Sequence, residues 1–171
     1  MFKILKSIIM TVMFLFICMA TSFASIPRND MVIGGITIGS SLDYVEQVYG
    51  LPNELYYGDG DWLTGQSLTY KYINGNNLFK VVAGTKGNSN RRVYSIVCRE
   101  KGLYTPSGLS VGMNFNEVKK IYGNGTILKK NMVISPIDNC RYYEYNSGSN
   151  VMQFTVDSNN IIKQIAIVSG V

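Results

Sequence analysis

The chain has 171 residues, of which 46% are hydrophobic and 16% charged, a length that excludes a multidomain protein and a composition that excludes a disordered one. Sixteen Lys and Arg against 11 Asp and Glu give a formal net charge of +5, but the basic residues are spread in isolated pairs, which argues against nucleic-acid binding. The sequence contains no histidine, which excludes histidine-based triads, histidine metal sites and imidazole acid–base chemistry.

Residues 1–24 have the three parts of a secretory signal peptide. Lys3 and Lys6 form the positive region, residues 8–19 form a continuous apolar run, and small residues follow at the −3 and −1 positions of a cleavage site. The run is too short to span a bilayer, which needs about 20 apolar residues. We therefore expect export to the periplasm or the medium as a processed chain of about 147 residues with no membrane span. The alternatives are an uncleaved anchor and a lipid-modified Cys18.

The most informative feature of the sequence is an internal repeat at an offset of 73 residues. Residues 35–50 (GITIGSSLDYVEQVYG) align without a gap with residues 108–123 (GLSVGMNFNEVKKIYG), and five of the 16 positions are identical. Two later tyrosine pairs keep the same offset. We interpret the pattern as a tandem duplication, with a first repeat over 25–103 and a second over 104–171 in one compact domain.

Each repeat is expected to open with a short amphipathic helix. Ser41 and Asn114 are suitable N-cap residues, and an apolar face with helical spacing follows each of them. Gly50 and Gly123 fit the position after a helix end, where a positive φ is common. A helix of about nine residues is too short to be stable alone, so each must pack its apolar face on a sheet.

About four antiparallel strands are expected after each helix. Two of them form a hairpin, turning at Asn74-Gly75 in the first repeat and at Ser147-Gly148 in the second. The patterns together predict an α+β fold: a tandem duplication of a short helix plus about four antiparallel strands, with the helices packed on one face of the sheet.

The turns also predict which side chains share a face of that sheet. A two-residue turn at Asn74-Gly75 places Tyr70 opposite Phe79. The face that takes the helices then carries Tyr70, Tyr72, Phe79, Val81, Tyr143, Tyr145, Met152, Phe154 and Val156. The other face is mostly polar and expected to be exposed to water, and it carries Thr69, Lys71, Lys80, Tyr142, Glu144, Gln153 and Thr155.

The repeated pattern G-[IL]-x-[IV]-G-x₅-V-x-x-[VI]-Y-G resembles that of the β-lactamase-inhibitor-protein-like superfamily. It is also similar to the small outer-membrane-assembly lipoproteins of the SmpA/OmlA type, which carry a single copy. The matching residues in the first copy are structural ones: Gly39, Val45, Tyr49, Gly50 and Pro52. The resemblance implies an envelope or extracellular protein that works by binding another protein.

The loop after the first helix differs between the copies, and divergent loops are where partner choice is commonly encoded. In the first copy it contains Tyr57, Asp59, Asp61 and Trp62, and aromatic side chains beside turn residues suit a protein interface. In the second copy it is residues 131–138, and both loops are expected to take part in partner binding. Alternatively, Tyr57 and Trp62 cap the sheet while Asp59 and Asp61 belong to a solvated turn. A calcium loop is disfavoured because its remaining ligands are missing.

The polar face supplies the other candidate binding residues, which are Lys71, Lys80, Tyr142, Glu144 and Gln153. A pairing of Lys71 with Glu144, or of Asp59 with Asp61, is the alternative to consider for an enzyme, but no nucleophile elbow, P-loop or dinucleotide fingerprint accompanies either pair. We therefore expect a protein-binding module with a protein partner, of which an inhibitor is one form, rather than an enzyme. The alternative is a structural component of a cell-envelope or outer-membrane assembly.

Cys98 and Cys140 remain after processing and are a candidate disulfide. The bond would close a loop of about 42 residues and contribute roughly 4 kcal/mol in the chain-entropy model. Two separate thiols are the alternative, since cysteine is often simply buried. Two thiols without histidine do not complete a tetrahedral metal site, so we expect no metal and no cofactor.

Overall fold

The structure is a computed structural model that describes residues 25–58, 66–84 and 91–170. The predicted signal peptide and Cys18 lie outside the described residues. So do three of the four loop candidates for partner binding, namely Asp59, Asp61 and Trp62.

Ten β-strands make up most of the described structure. They are β1 (Val32–Ile33), β2 (Ile36–Thr37), β3 (Glu54–Gly58), β4 (Ser67–Asn74), β5 (Asn77–Gly84), β6 (Arg92–Cys98), β7 (Thr126–Ile127), β8 (Arg141–Ser147), β9 (Asn150–Val156) and β10 (Ile162–Ser169). The helices of the same part are α1 (Leu42–Tyr49) and α2 (Asn116–Tyr122), with 3₁₀ turns at Arg28–Asp30 and Lys130–Met132.

Eight of these strands form one antiparallel sheet in the order β3-β4-β5-β6-β10-β9-β8-β7. Its two middle strands, β6 and β10, pair over four residues each, with Cys98 opposite Ile165 and Ser95 opposite Val168. β1 and β2 form a separate two-stranded sheet. The architecture of the described residues is therefore a wide antiparallel sheet with two short helices.

The predicted fold class, a tandem helix-plus-strand duplication, is wrong. The strands do not form two repeats but one continuous eight-stranded sheet, and the β1–β2 sheet is additional to it. The strands that follow the two helices also differ in length, because β3 has five residues and β7 only two. The physical reason is that a recurring helix pattern does not determine strand pairing. Open edges at β6 and β10 satisfy their backbone groups by pairing with each other.

The hairpin turns are shifted by one position from the prediction. Gly75 has a φ of 61° and is the first of the two turn residues, not the second. Tyr72 therefore lies opposite Phe79, and Tyr70 is one pair further along the face. The second hairpin, with Gly148 at a φ of 60°, is shifted in the same way. The two-residue change in register leaves each side chain on its predicted face, because side chains alternate with a period of two.

The helices begin where polar side chains satisfy free N–H groups. Ser41 Oγ accepts a hydrogen bond from the Tyr44 backbone N–H at 3.2 Å, so α1 has the predicted N-cap. α2 begins one residue later than predicted, with Phe115 in the N-cap position. The Asn114 side chain still contributes, because its Oδ1 accepts from the Asn116 N–H at 2.9 Å.

Each helix is tied to the sheet at its C-terminal glycine. Gly50 and Gly123 have φ values of 76° and 78°, which residues with a Cβ avoid. Their carbonyl oxygens accept hydrogen bonds from the phenols of Tyr72 and Tyr145, each at 3.0 Å. The end of each short helix is thus held by a strand beneath it.

The helices lie on the same face of the sheet and share one apolar core with it. Tyr49 of α1 packs on Phe79, with ring centroids 4.8 Å apart, and Phe115 stacks on Tyr143 at 4.2 Å. The face predicted for the helices is confirmed by the burial of its strand residues in this core, which are Tyr70, Phe79, Val81, Tyr143, Tyr145, Met152, Phe154 and Val156, with Tyr72 partly buried against it.

A buried carboxyl group fastens the N-terminal segment to α2. Asp30 is 2% exposed, and its Oδ1 accepts a hydrogen bond from the Ser107 N–H at 2.7 Å. Its Oδ2 accepts from the Ser107 hydroxyl and from the phenol of Tyr122. Three donors from two distant parts of the chain therefore meet at one side chain.

The two cysteines are free thiols on opposite faces of the sheet, so the candidate disulfide is not formed. Cys98 lies in the core beneath the helices, where its Sγ donates to the Glu100 carbonyl oxygen at 3.4 Å. Cys140 packs against Tyr142, whose side chain faces the other way. Tyr142 and its neighbour Tyr143 point to opposite faces of the sheet, and Tyr143 belongs to the same core as Cys98. The sheet therefore separates the two sulfur atoms.

We expect a thiol reagent to modify Cys140 much faster than Cys98 in the folded chain. Burial raises the pKa of Cys98 to about 11, so near pH 8 only about one molecule in a thousand carries the reactive thiolate. Burial also raises the pKa of Cys140, but this side chain is partly exposed. Peptide mapping after timed alkylation measures both rates, with denatured protein as the control. Recovery of a Cys98–Cys140 linked peptide would contradict the assignment.

Candidate functional site

Four of the predicted binding residues lie in a single row across the polar face of the sheet. In this row Lys71 is adjacent to Lys80, and Gln153 is adjacent to Glu144. Two residues of the central strands separate these pairs. The full row, from β3 to β7, is Glu54, Lys71, Lys80, Val97, Ala166, Gln153, Glu144 and Thr126.

Residues 128–138, here called the covering segment, lie over the middle of this face. The Ile134 N–H donates to Gln153 Oε1 at 3.1 Å, and the Ile134 carbonyl accepts from Gln164 Nε2 at 2.8 Å. Gln153 Nε2 also donates to the Met132 carbonyl at 3.3 Å. The two glutamines thus replace the backbone partners that an adjacent strand would provide.

The covering segment overturns part of the exposure predicted for this face. Tyr142 is 6% exposed and Gln153 is 4% exposed, so neither is at the surface. Leu128 and Val133 form a small apolar cluster with Tyr142, whose phenol donates to the Ile137 carbonyl at 2.6 Å. A partner protein would contact these two candidates only after displacing the covering segment.

Lys71 pairs with Glu54 and not with Glu144. Its Nζ lies 3.0 Å from Glu54 Oε2 and 4.2 Å from the centre of the Tyr56 ring, and the Tyr56 phenol donates to the same carboxylate at 2.7 Å. Hydrogen bonds from Tyr56 and then Lys71 lower the pKa of Glu54. Glu144 is five strand spacings away, roughly 24 Å, and accepts instead from Gln153 Nε2 at 3.1 Å. The Lys71–Glu144 pair considered for an enzyme is therefore absent.

A second group of cations surrounds Ser135 of the covering segment. Lys80 Nζ donates to Ser135 Oγ at 3.0 Å, and Arg99 Nη2 donates to the Ser135 carbonyl at 2.8 Å. Arg99 Nε donates to Gln164 Oε1 at 2.8 Å. Burial lowers the pKa of Arg99, and the pKa of Lys80 is lowered by burial and then by the positive charges of Arg99 and Lys71.

Arg99 and Ser135 were missed in the sequence. Arg99 had a usable signal, because it lies two residues after Val97 and strand alternation places both on the face of Lys80. Ser135 lies in the divergent loop of the second copy, residues 131–138, but nothing distinguished it within that loop, where it has a φ of 51° that a serine seldom adopts.

The outer edge of the sheet at β3 is unusually apolar. Leu55, Tyr56 and Tyr57 follow one another there with exposures of 45%, 49% and 73%, and Leu51, just before the strand, is 82% exposed. Tyr57 lies opposite Leu68, a core residue, so it is on the helix side of the sheet. The structure thus places the predicted residue Tyr57 at this edge, away from the polar row.

Within residues 25–58, 66–84 and 91–170, no group of three or more cysteine, aspartate or glutamate side chains is placed to hold a metal ion. In this same part of the chain, the helices are too short and too polar to cross a membrane.

No protein-family model matches the chain, and no curated protein sequence matches it. Among solved structures, it is similar to a cysteine-rich secretory protein from Staphylococcus aureus subsp. aureus Mu50, with a TM-score of 0.57 and 13% identity over 86% of this chain and 49% of that one. It is also similar to a DUF4309 family protein from Bacillus subtilis subsp. subtilis str. 168, with a TM-score of 0.48 and 15% identity over 85% of this chain and 88% of that one.

The chain spans about half the length of the staphylococcal protein. At 13% identity, that likeness shows a shared fold and nothing more. The resemblance to the β-lactamase-inhibitor-protein-like and SmpA/OmlA-like proteins stays a prediction.

Proposed function

We propose that this chain is an exported protein-binding module that docks a partner protein at the β3 edge. The observation that carries the proposal is the run of exposed apolar side chains on that edge, namely Leu51, Leu55, Tyr56 and Tyr57. Leu55 and Tyr57 lie on the helix side of β3 and Tyr56 on the polar side, so exposed apolar side chains flank the edge on both faces. Exposed apolar surface is characteristic of interaction sites, and tyrosine is enriched among the residues that dominate binding energy.

The backbone of β3 supports the same conclusion. Among residues 25–58, 66–84 and 91–170 it pairs with β4 on one side only, in an uninterrupted register from Glu54 opposite Lys71 to Gly58 opposite Ser67. Edge strands that avoid association usually carry a proline, a bulge or unpaired charges. β3 has neither proline nor bulge, and its one charge, on Glu54, is already paired with Lys71. An extended segment of a partner protein would add to this edge as a further strand.

Replacing Tyr57 with lysine tests the surface. The change puts a charge at the centre of the proposed interface, so we expect capture of the partner from envelope and medium fractions to fall about tenfold or more. The matched control is Tyr104→Lys, which alters a similarly exposed tyrosine outside β3. Circular dichroism of both variants is the check that they are folded.

Equal capture by Tyr57→Lys, Tyr104→Lys and the unaltered chain would contradict this docking surface. The same preparation tests export, because the chain recovered from the envelope or the medium is expected to begin at Ser25. Recovery of an unprocessed chain from the cytoplasm alone would contradict that part of the proposal.

A further inference from the structure

The cations around Ser135 carry an excess of positive charge on the polar face. In the part of the chain that the structure describes, the ion pairs join Lys71 to Glu54, Lys120 to Glu117 and Lys130 to Asp138. Lys80 and Arg99 form no ion pair with any described carboxylate. Two neighbouring positive charges are therefore left without a counter-charge from the described residues.

Burial makes this excess charge unfavourable in the isolated chain. Lys80 and Arg99 are both partly withdrawn from water, and each contacts an oxygen atom of the same serine. Like charges held near each other repel, and partial burial weakens the screening by water. Burial lowers the pKa of Arg99, and burial followed by the charges of Arg99 and Lys71 lowers the pKa of Lys80. An anion bound beside Ser135 would neutralise the two positive charges and so reduce both the cost of their burial and their mutual repulsion.

The same residues retain hydrogen-bond donors that no described residue accepts. Lys80 Nζ has three N–H groups and donates one of them to Ser135 Oγ. Arg99 donates through Nε and Nη2, which leaves Nη1. Ser135 Oγ accepts from Lys80, so its own O–H is free to donate. A lysine, an arginine and a hydroxyl together are the donors that proteins use for phosphate groups.

We propose that Lys80, Arg99 and Ser135 form a binding site for a phosphate group. Two uncompensated positive charges match a phosphate dianion better than a carboxylate, which carries one negative charge. The edge of Arg99 formed by Nε and Nη2, which would grip a carboxylate in a bidentate fashion, is already bound to Gln164 and Ser135. The phosphate is either free inorganic phosphate or a phosphate monoester on a larger molecule. This site is separate from the β3 edge, so it does not depend on the proposed function.

Calorimetric titration with inorganic phosphate tests the site, at mildly alkaline pH and constant ionic strength. We expect Lys80→Met to weaken binding about tenfold or more, because it removes a charge-assisted hydrogen bond. The matched control is Lys71→Met, the neighbour of Lys80 in the row, whose charge is already paired with Glu54. It should weaken binding by less than about threefold. Lys80→Gln serves in place of Lys80→Met if the melting temperature shows that the methionine variant is unfolded.

Two further arms identify the anion. Acetate, titrated under the same conditions, should bind at least about tenfold more weakly than phosphate. Glycerol 3-phosphate distinguishes the sources, because binding tighter than inorganic phosphate indicates a monoester and weaker binding indicates the free ion. The proposal is overturned if phosphate does not bind, if acetate binds equally well, or if Lys71→Met weakens binding as much as Lys80→Met.

Discussion

Replacing Phe154 with alanine is expected to lower the free energy of unfolding by about 3–5 kcal/mol. The side chain is fully buried, and its ring lies 5.6 Å from that of Tyr145 and 6.0 Å from that of Phe115. Its strand neighbours on the same face are Tyr143 and Ile165. Removing the ring leaves a cavity bounded by α2 and three strands, which cannot close without moving the sheet.

Urea unfolding monitored by circular dichroism measures this effect. The control is Ile127→Ala, which shortens a 75% exposed side chain at the opposite edge of the sheet from β3 and should change stability by less than about 0.5 kcal/mol. A loss below about 1 kcal/mol for Phe154→Ala would show that the helix-facing core is not packed as described.

We expect Asp30→Ala to lower the free energy of unfolding by about 3 kcal/mol. The substitution removes the acceptor of three hydrogen bonds, from the Ser107 N–H, the Ser107 hydroxyl and the Tyr122 phenol. Tyr122 is 7% exposed, so its phenol loses its acceptor inside the core, whereas Ser107 is exposed and water can reach its two donors. An unsatisfied buried donor is more costly than the loss of a surface contact.

The matched control is Asp138→Ala, which removes an exposed carboxylate paired with Lys130. It should cost less than about 1 kcal/mol. Tyr122→Phe completes a double-mutant cycle with Asp30→Ala, in which a coupling of about 0.5–3 kcal/mol is expected for groups in direct contact. Equal stabilities of the Asp30 and Asp138 variants, or additive effects in the cycle, would contradict this role of Asp30.

The local features of the fold could be predicted because each depends on neighbouring residues. Strand alternation assigned Tyr70 and Phe79 to the helix side, and Gly75 marked the hairpin even though the turn begins one residue later than expected. Ser41 marked the start of α1. The assembly of the sheet was not predictable in this way. Which strand edges meet is decided by contacts between residues far apart in sequence, such as Cys98 and Ile165.

The candidate site was predicted less well for a related reason. Gln153 and Gln164 are polar, and a polar residue in an alternating strand is normally interpreted as exposed. Both are buried here because backbone groups of Met132 and Ile134 satisfy them. The pattern of the strands contains no information about a distant segment that supplies such partners. The exposure of Tyr57 was the part of the site that local pattern did indicate.

The position of β10 in the middle of the sheet constrains when the protein can fold. β6 and β9 both hydrogen-bond to β10, so neither has its full set of backbone partners until residues 162–169 have been synthesised. A nascent chain that stops earlier exposes two unpaired strand edges, which are sites of aggregation. The wide sheet is therefore expected to close late and by long-range contacts, after synthesis of its central strand and not progressively along the chain.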